Sequence, residues 1–274
     1  MKDGAKPWLV DDALWAVLKP LLPVRPRRAR HPGRRPLDDR LVLQGILFVL
    51  HTGIGWEHLP QEFGFGSGMT AWRRLRRWHQ AGVWKQLHQA LLARLQAAGE
   101  IDWSRAIIDA SYVQAKKGGC SGLGPSPVDR GRPGVKHHVL IDGHGVPLAW
   151  SATPANRNDV TQLLPLIDAI PHVRGRVGRP RHRPGQLIAD RGYDHDLYRF
   201  QLSRRGIKPL IARRRTEHGS GLGRERWTVE RTISHLHNKR RLWVRTDRSP
   251  ETHEALLSLA ACLLCFRRVR SSFC

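Results

Sequence analysis

Two short runs of the chain each close an apolar stretch with a carboxylate. Arg105–Tyr112 reads Arg-Ala-Ile-Ile-Asp-Ala-Ser-Tyr and presents Asp109. Gly185–Tyr193 reads Gly-Gln-Leu-Ile-Ala-Asp-Arg-Gly-Tyr and presents Asp190. A third carboxylate, Glu230, sits in a helical pattern, Arg226-Trp-Thr-Val-Glu-Arg-Thr-Ile-Ser-His-Leu. Three hard oxygen donors suit divalent metal, and two-metal phosphoryl chemistry needs such ligands with positions left open for water and phosphate. Asp109 is the hardest of the three to explain as ordinary surface charge, because a carboxylate inside an apolar strand needs a partner. Asp142 and Asp159 compete for a place in the set. Asp142 precedes a turn and Asp159 reads as a helix N-cap, so both rank lower.

These side chains need elements to aim them. Residues 8–100 read as helical: Trp8–Leu22, then a helix capped by Asp38-Asp39 and running to about Leu50, then Ala71–Gln80 behind Ser67 or Thr70, then Val83–Ala98. Arg25–Arg35 reads as a basic, proline-bearing linker. Ala71–Gln80 interleaves Trp72, Leu75 and Trp78 with Arg73, Arg74, Arg76 and Arg77. Helix, turn and arginine-rich helix is the outline of a helix-turn-helix DNA reader, and also of a plain bundle with a solvated basic face.

From Ile101 the pattern changes to strands at Ala106–Val113, Val135–Asp142 and Val146–Thr153, the last two joined by Gly143-His-Gly145. A helix capped by Asp159 (Val160–Ile170), a basic loop (Arg174–Pro184), a strand (Leu187–Asp190), a helix to about Arg205 and a strand (Ile207–Ala212) follow. The polar stretch Arg213–Gly223 leads to helices over Arg224–Leu242 and Pro250–Val269. This order predicts a ribonuclease-H-like α/β domain with a mixed five-stranded sheet over residues 101–274, preceded by a helical DNA-binding domain over 1–100. In the Glu230 helix, Arg226, Glu230, Ser234, His237 and Arg241 share one face, while Val229, Ile233 and Leu236 share another that would pack on the sheet.

Composition narrows the partner. Lys and Arg number 47 against 23 Asp and Glu in 274 residues, a formal charge of +24. That field attracts polyanions, and double-stranded DNA leads among them. The start of the chain has no signal-peptide core, no run reaches transmembrane length, and four cysteines make no disulfide framework. The expectation is a soluble cytoplasmic protein with reduced thiols. Cys262-x-x-Cys265 has zinc half-site spacing but lies in an apolar helix, which favours buried thiols. His137 and His138 point to opposite faces of a strand, and His235 and His237 are separated around a helix, so neither pair makes a joint metal site. Trp227 is either core or a surface that stacks on DNA.

Together these residues resemble the DDE transposases of bacterial insertion sequences, in the insertion-sequence family five group. The likeness covers nearly the whole chain. It runs through Gly33-Arg-Arg-Pro-Leu-Asp-Asp-Arg40, Leu50-His-Thr-Gly-Ile-Gly-Trp-Glu-His-Leu-Pro60, Trp78-His-Gln-Ala-Gly-Val-Trp84, Ile108-Asp-Ala-Ser111, Asp129-Arg-Gly-Arg-Pro-Gly-Val-Lys136, Ala189-Asp-Arg-Gly-Tyr-Asp194 and Arg226-Trp-Thr-Val-Glu-Arg-Thr232.

The resemblance implies Mg²⁺ or Mn²⁺ held by Asp109, Asp190 and Glu230, and recognition of terminal inverted repeats by the helical domain. It implies cleavage at the element ends and attack of the freed 3′-OH on target DNA, at the nucleoid, by a homodimer or larger assembly that holds both ends. DNA contacts are expected from Arg73, Arg74, Arg76, Arg77, Lys136, Arg226, Lys239 and Arg241. Gly223 stands where the wider family places Tyr, His237 where it places Lys, and His235 where close relatives carry Trp. Lys239 or Arg241 is the expected substitute for that lysine. A DNA-binding relic or regulator that occupies element ends without cutting is the alternative; a simple nuclease would have no use for an end-reading module.

Overall fold

The buried run Ala106-Ile-Ile opens a ten-residue strand, β1 (Arg105–Gln114), at the centre of a mixed sheet. The computed structural model describes residues 6–24, 30, 35–116, 120–215 and 223–272. After β1 come β2 (Gly124–Pro125), β3 (Pro133–Asp142), β4 (Pro147–Pro154), β5 (Gln186–Ala189) and β6 (Lys208–Ile211). β3 runs antiparallel to β1, and β4 antiparallel to β3. β5 runs parallel to β1, and β6 parallel to β5. The order is therefore β4-β3-β1-β5-β6. The expected five strands are all present, and a sixth, the two-residue β2, adds to the start of β3 because Pro133 and Gly134 find partners in Gly124 and Pro125.

The helices are α1 (Asp12–Leu18), α2 (Asp39–Thr52), α3 (Gly68–Gln80), α4 (Val83–Ala97), α5 (Leu163–Asp168), α6 (Asp196–Arg204), α7 (Gly223–His237), α8 (Arg240–Trp243) and α9 (Pro250–Ser272). Asp38 starts α2 by accepting the N–H of Arg40 at 2.6 Å, and Gly53 ends it in the left-handed conformation (φ +76°). Ser67 starts α3 by accepting the N–H of Thr70 at 3.2 Å. Two expectations need correction. Asn158, not Asp159, caps the helical segment after β4, because its amide oxygen accepts the N–H of Val160; Asp159 pairs with Lys136 instead. The helix expected over 224–242 breaks after His237, and Lys239 begins the separate turn α8. The linker over 25–35 and the stretch over 213–223 fall largely outside the described residues.

One continuous apolar core joins the helices before residue 100 to the sheet. Its keystone is α9, whose Ala255, Leu256, Leu259, Ala260 and Cys262 are fully enclosed. The Cys262 thiol donates to the Trp84 carbonyl at 3.3 Å, so the Cys-x-x-Cys pair is interior packing, as its apolar helix suggested. Trp72 of α3 donates its indole N–H to Thr252, and Arg76 forks onto Glu251 at 2.7 and 3.0 Å. Among the described residues, no helix is long and apolar enough to cross a membrane.

A buried ion pair locks the junction. Arg241 Nη2 meets Asp247 Oδ1 at 2.9 Å, both side chains being 5% exposed or less. The same guanidinium donates to the carbonyl of Ile54 at 2.7 Å, and the Trp56 indole donates to Asp247 at 3.4 Å. Removing one partner strands the other charge in the interior, a loss of about 3–5 kcal/mol. Asp247→Ala should lower the urea midpoint accordingly; an unchanged midpoint would show that this pair does not hold the junction.

Candidate active site

Asp109 and Asp190 stand on neighbouring parallel strands. Arg105 of β1 is in register with Gln186 of β5, and each carboxylate lies four residues further along its own chain, so the two arrive side by side at one end of the sheet. Side chains of adjacent parallel strands at equal level share a face, which sets these two together. Asp190 is the residue just past β5. Its Oδ1 accepts the N–H of Gly192 at 2.8 Å and so starts the turn Arg191–Tyr193.

The third carboxylate arrives on α7, which lies against β1, β3 and β5. Val229 and Leu236 are buried beneath it and Ile233 nearly so, as the helical pattern required. Arg226 and Glu230 are one turn apart on the same helix. Arg226 Nη2 lies 3.2 Å from Asp109 Oδ2 and 3.7 Å from Glu230 Oε1. One guanidinium therefore bridges two of the expected ligands and feels the charge of the third. Burial works against its proton, yet Asp109, Asp190 and Glu230 together hold it above the ordinary arginine value. Burial likewise raises the Asp109 carboxyl above the usual range; the Ala110 N–H and Arg226 pull it back, and Asp190 pushes it further up.

Among the described residues, no three His, Cys, Asp or Glu side chains stand close enough together to hold a metal as they are. The chemistry of the donors nevertheless fits a divalent cation. All are carboxylate oxygens, and the Asp109 and Asp190 charges repel. Glu230 is 60% exposed and lies 3.7 Å from Arg226, one helical turn away. Tyr193 adds a second sign. It is fully enclosed, its phenol oxygen has no hydrogen-bond partner among the described residues, and beyond its burial the charges of Asp109, Asp159 and Asp190 hold its pKa well above the usual tyrosine value. A buried hydroxyl without a protein partner, in the field of carboxylates, is a group that a water or an ion would satisfy. Its place three residues after Asp190 was visible in the sequence; its inward direction comes from the tight turn that Asp190 caps.

The competing acids have other work. Asp142 is buried and accepts three backbone N–H groups, from Asp102, His144 and Val146, which makes it the organiser of the β3–β4 turn. Asp159 holds Lys136 at 2.8 Å.

The expected DNA contacts separate sharply. Arg73 is exposed, and Arg77 is half-buried near the Val24 carbonyl. Arg74 is buried against Asp39; Arg76, partly buried, is engaged by Glu251; and Arg241 is the interior partner of Asp247, so each is drawn to an acid. Lys136 Nζ is committed to Asp159 and to the Arg157 carbonyl. Lys239 is buried, and burial with Arg267 nearby lowers its ammonium to about 8. Neither Lys239 nor Arg241 therefore presents a charge where the family's lysine would stand. His237, at that position, is enclosed beside His137, which in turn meets His253 at 2.7 Å. Trp227 is not core: it is 52% exposed, with the Arg231 guanidinium 4.5 Å from its ring centre.

Comparison with known proteins places this geometry. A family model described as "Transposase DDE domain" matches residues 103–266, and one described as "Putative transposase of IS4/5 family" matches residues 10–88. The chain is 54% identical over 158 residues to a protein of Burkholderia cepacia named "Putative transposase for insertion sequence element IS402", covering 58% of this chain and 75% of that one. It is also 54% identical over 124 residues to the "Insertion element IS402 uncharacterized 16.2 kDa protein" of the same organism, covering 45% of this chain and 83% of the relative.

Two measurements follow from the electrostatics. Arg226→Gln removes a downward pull on Asp109, so a ¹³C NMR titration should show that carboxyl protonating at higher pH than in the unaltered protein; a fall would dissociate Arg226 from the site. Because the folded value of Asp109 is raised, its contribution to stability is full below the unfolded carboxyl pKa and is lost as pH rises through the folded one. Asp109→Asn mimics the protonated form and should keep or raise the thermal midpoint at neutral pH, whereas a lower midpoint would make Asp109 a structural residue.

Proposed function

The chain belongs to the family of insertion-sequence transposases with a DDE domain, and from that premise we propose that it binds the terminal inverted repeats of its own element, cuts at the element ends and joins the freed 3′-OH to target DNA. The observation that carries this reading is Arg226, which pairs with Asp109, lies 3.7 Å from Glu230 and feels the charge of Asp190. Asp109, Asp190 and Glu230 would hold Mg²⁺ or Mn²⁺. Such ions supply charge neutralisation at the scissile phosphate and an activated oxygen nucleophile at neutral pH.

The protein's own residues do the rest. β1 and β5 fix two carboxylates at one level, so their spacing is set by strand geometry and not by flexible arms. α7 delivers Glu230 from another side. Arg226 offsets the charge of the carboxylates, and its guanidinium is the kind of group that would grip a DNA phosphate in bidentate fashion. Arg73 and Arg77 on α3 give the helical region a means of holding the repeat. In this reading the division of labour falls near residue 100: a helix-turn-helix-like reader over 1–100 and a ribonuclease-H-like catalytic part over 101–274. Two ends must be held at once, which calls for a homodimer or larger assembly on DNA, working in the cytoplasm at the nucleoid.

A second reading, an end-binding protein that does not cut, is favoured by the inward positions of Lys239 and Arg241 and by buried His237. Cleavage separates the two. A duplex carrying the flanking inverted repeat should be nicked at the repeat boundary with Mn²⁺, and Asp190→Ala should lower the rate by about a hundred- to a thousandfold, the scale on which a group acting directly on the transition state is felt. Tight binding with no nick from the unaltered protein would establish the second reading.

A further inference from the structure

Among the described residues, a concentrated positive feature outside this site is a hairpin between α5 and β5. No acid occurs between Asp168 and Asp190, while Arg174, Arg176, Arg179, Arg181 and Arg183 all fall within that interval. All five arginines are exposed, and among the described residues none is engaged in a salt bridge. The segment is nevertheless built. Val173 and Arg181 exchange both backbone hydrogen bonds, at 2.8 and 2.9 Å. The rings of His172 and His182 meet across its base with centroids 4.1 Å apart. Val173 is buried, Gly175 lies against Gln96 of α4, and Gly178 turns the tip at φ +95°.

Five like charges gathered on one stapled loop repel each other, and among the described residues no acid forms a salt bridge with them. Phosphate would offset them, and arginine is the side chain suited to it. The hairpin feeds into the start of β5, whereas Asp190 follows its end. A four-residue strand separates the two by about 13 Å at ~3.3 Å per residue. The loop and the carboxylates therefore lie at opposite ends of the same strand.

We propose that the Val173–Arg181 hairpin is a second DNA-contacting element, gripping backbone phosphates of a duplex at a distance from the bond that is cut. This rests on the reading of the chain as a protein that acts on DNA.

The test is the salt dependence of binding to the inverted-repeat duplex. It compares the unaltered protein with a variant in which Arg174, Arg176, Arg179, Arg181 and Arg183 are all replaced by Ala. Each lost phosphate contact flattens the logarithmic slope by about 0.9. Five contacts would give a fall of about 4.5, and a fall of two or more supports the proposal. A smaller fall, with the thermal midpoint unchanged, overturns it. Phosphate footprinting then locates the contact. Protections lost in the variant should lie about four base pairs or more from the nick, since ~13 Å spans that many steps of duplex. Losses confined to the nick itself would also overturn the proposal. A flat salt response from the unaltered protein would be a different failure, that of the DNA-acting reading.

Discussion

Like charges do not gather on a sheet without help. Asp109 and Asp190 are set side by side by the register of β1 and β5, and burial makes that arrangement costlier. Arg226 of α7 offsets it, 3.2 Å from Asp109 and within the field of Asp190, with Glu230 one turn further on. Much of the architecture serves that placement. β1 is central so that a carboxylate can stand within a rigid frame. α7 is amphipathic so that its buried side fixes which way Arg226 points. The short turn after β5 exists because Asp190 caps it, and it tucks Tyr193 beneath the acids.

A formal charge of +24 overstates the positive surface. Arg74, Arg241 and Arg245 are interior struts: the last donates to the carbonyls of Asp247, Gly122 and Ser121. Arginine suits this role because its fork can satisfy several acceptors while its charge is matched by one acid. What remains outside is unevenly spread, and among the described residues the loop before β5 gathers five exposed arginines. The positive field that meets DNA is thus shaped by which arginines have acids behind them.

Much of this was legible in the chain. Apolar runs and strand-like patterns found every strand longer than two residues, and the three acids stood out because two end apolar runs and one rides an amphipathic helix. Cys262 and Cys265 were read correctly from the leucines around them. What stayed hidden depends on partners far away in sequence. Arg76 looks available until Glu251, 175 positions later, is brought beside it. Arg241 looks like a clamp until Asp247 and the Ile54 carbonyl enclose it. Periodicity carried the helix of α7 smoothly through Asn238, because nothing in the apolar pattern marks the break before α8. Asn158 and Asp159 are both good caps by type, and only the pull of Lys136 on Asp159 decides between them.

The position of α9 has a temporal consequence. It covers the apolar side of α4, yet the two helices are separated by more than 150 residues of chain, from Ala97 to Pro250. A ribosome adds about 5–20 residues per second, so the faces of α3 and α4 wait on the order of ten to thirty seconds for their covering helix. Throughout that interval the nascent protein presents Trp78, Trp84, Leu91 and Leu92 without their final neighbours. Biogenesis of this enzyme therefore has an obligatory sticky phase, in which chaperone capture and aggregation compete with completion of the polypeptide.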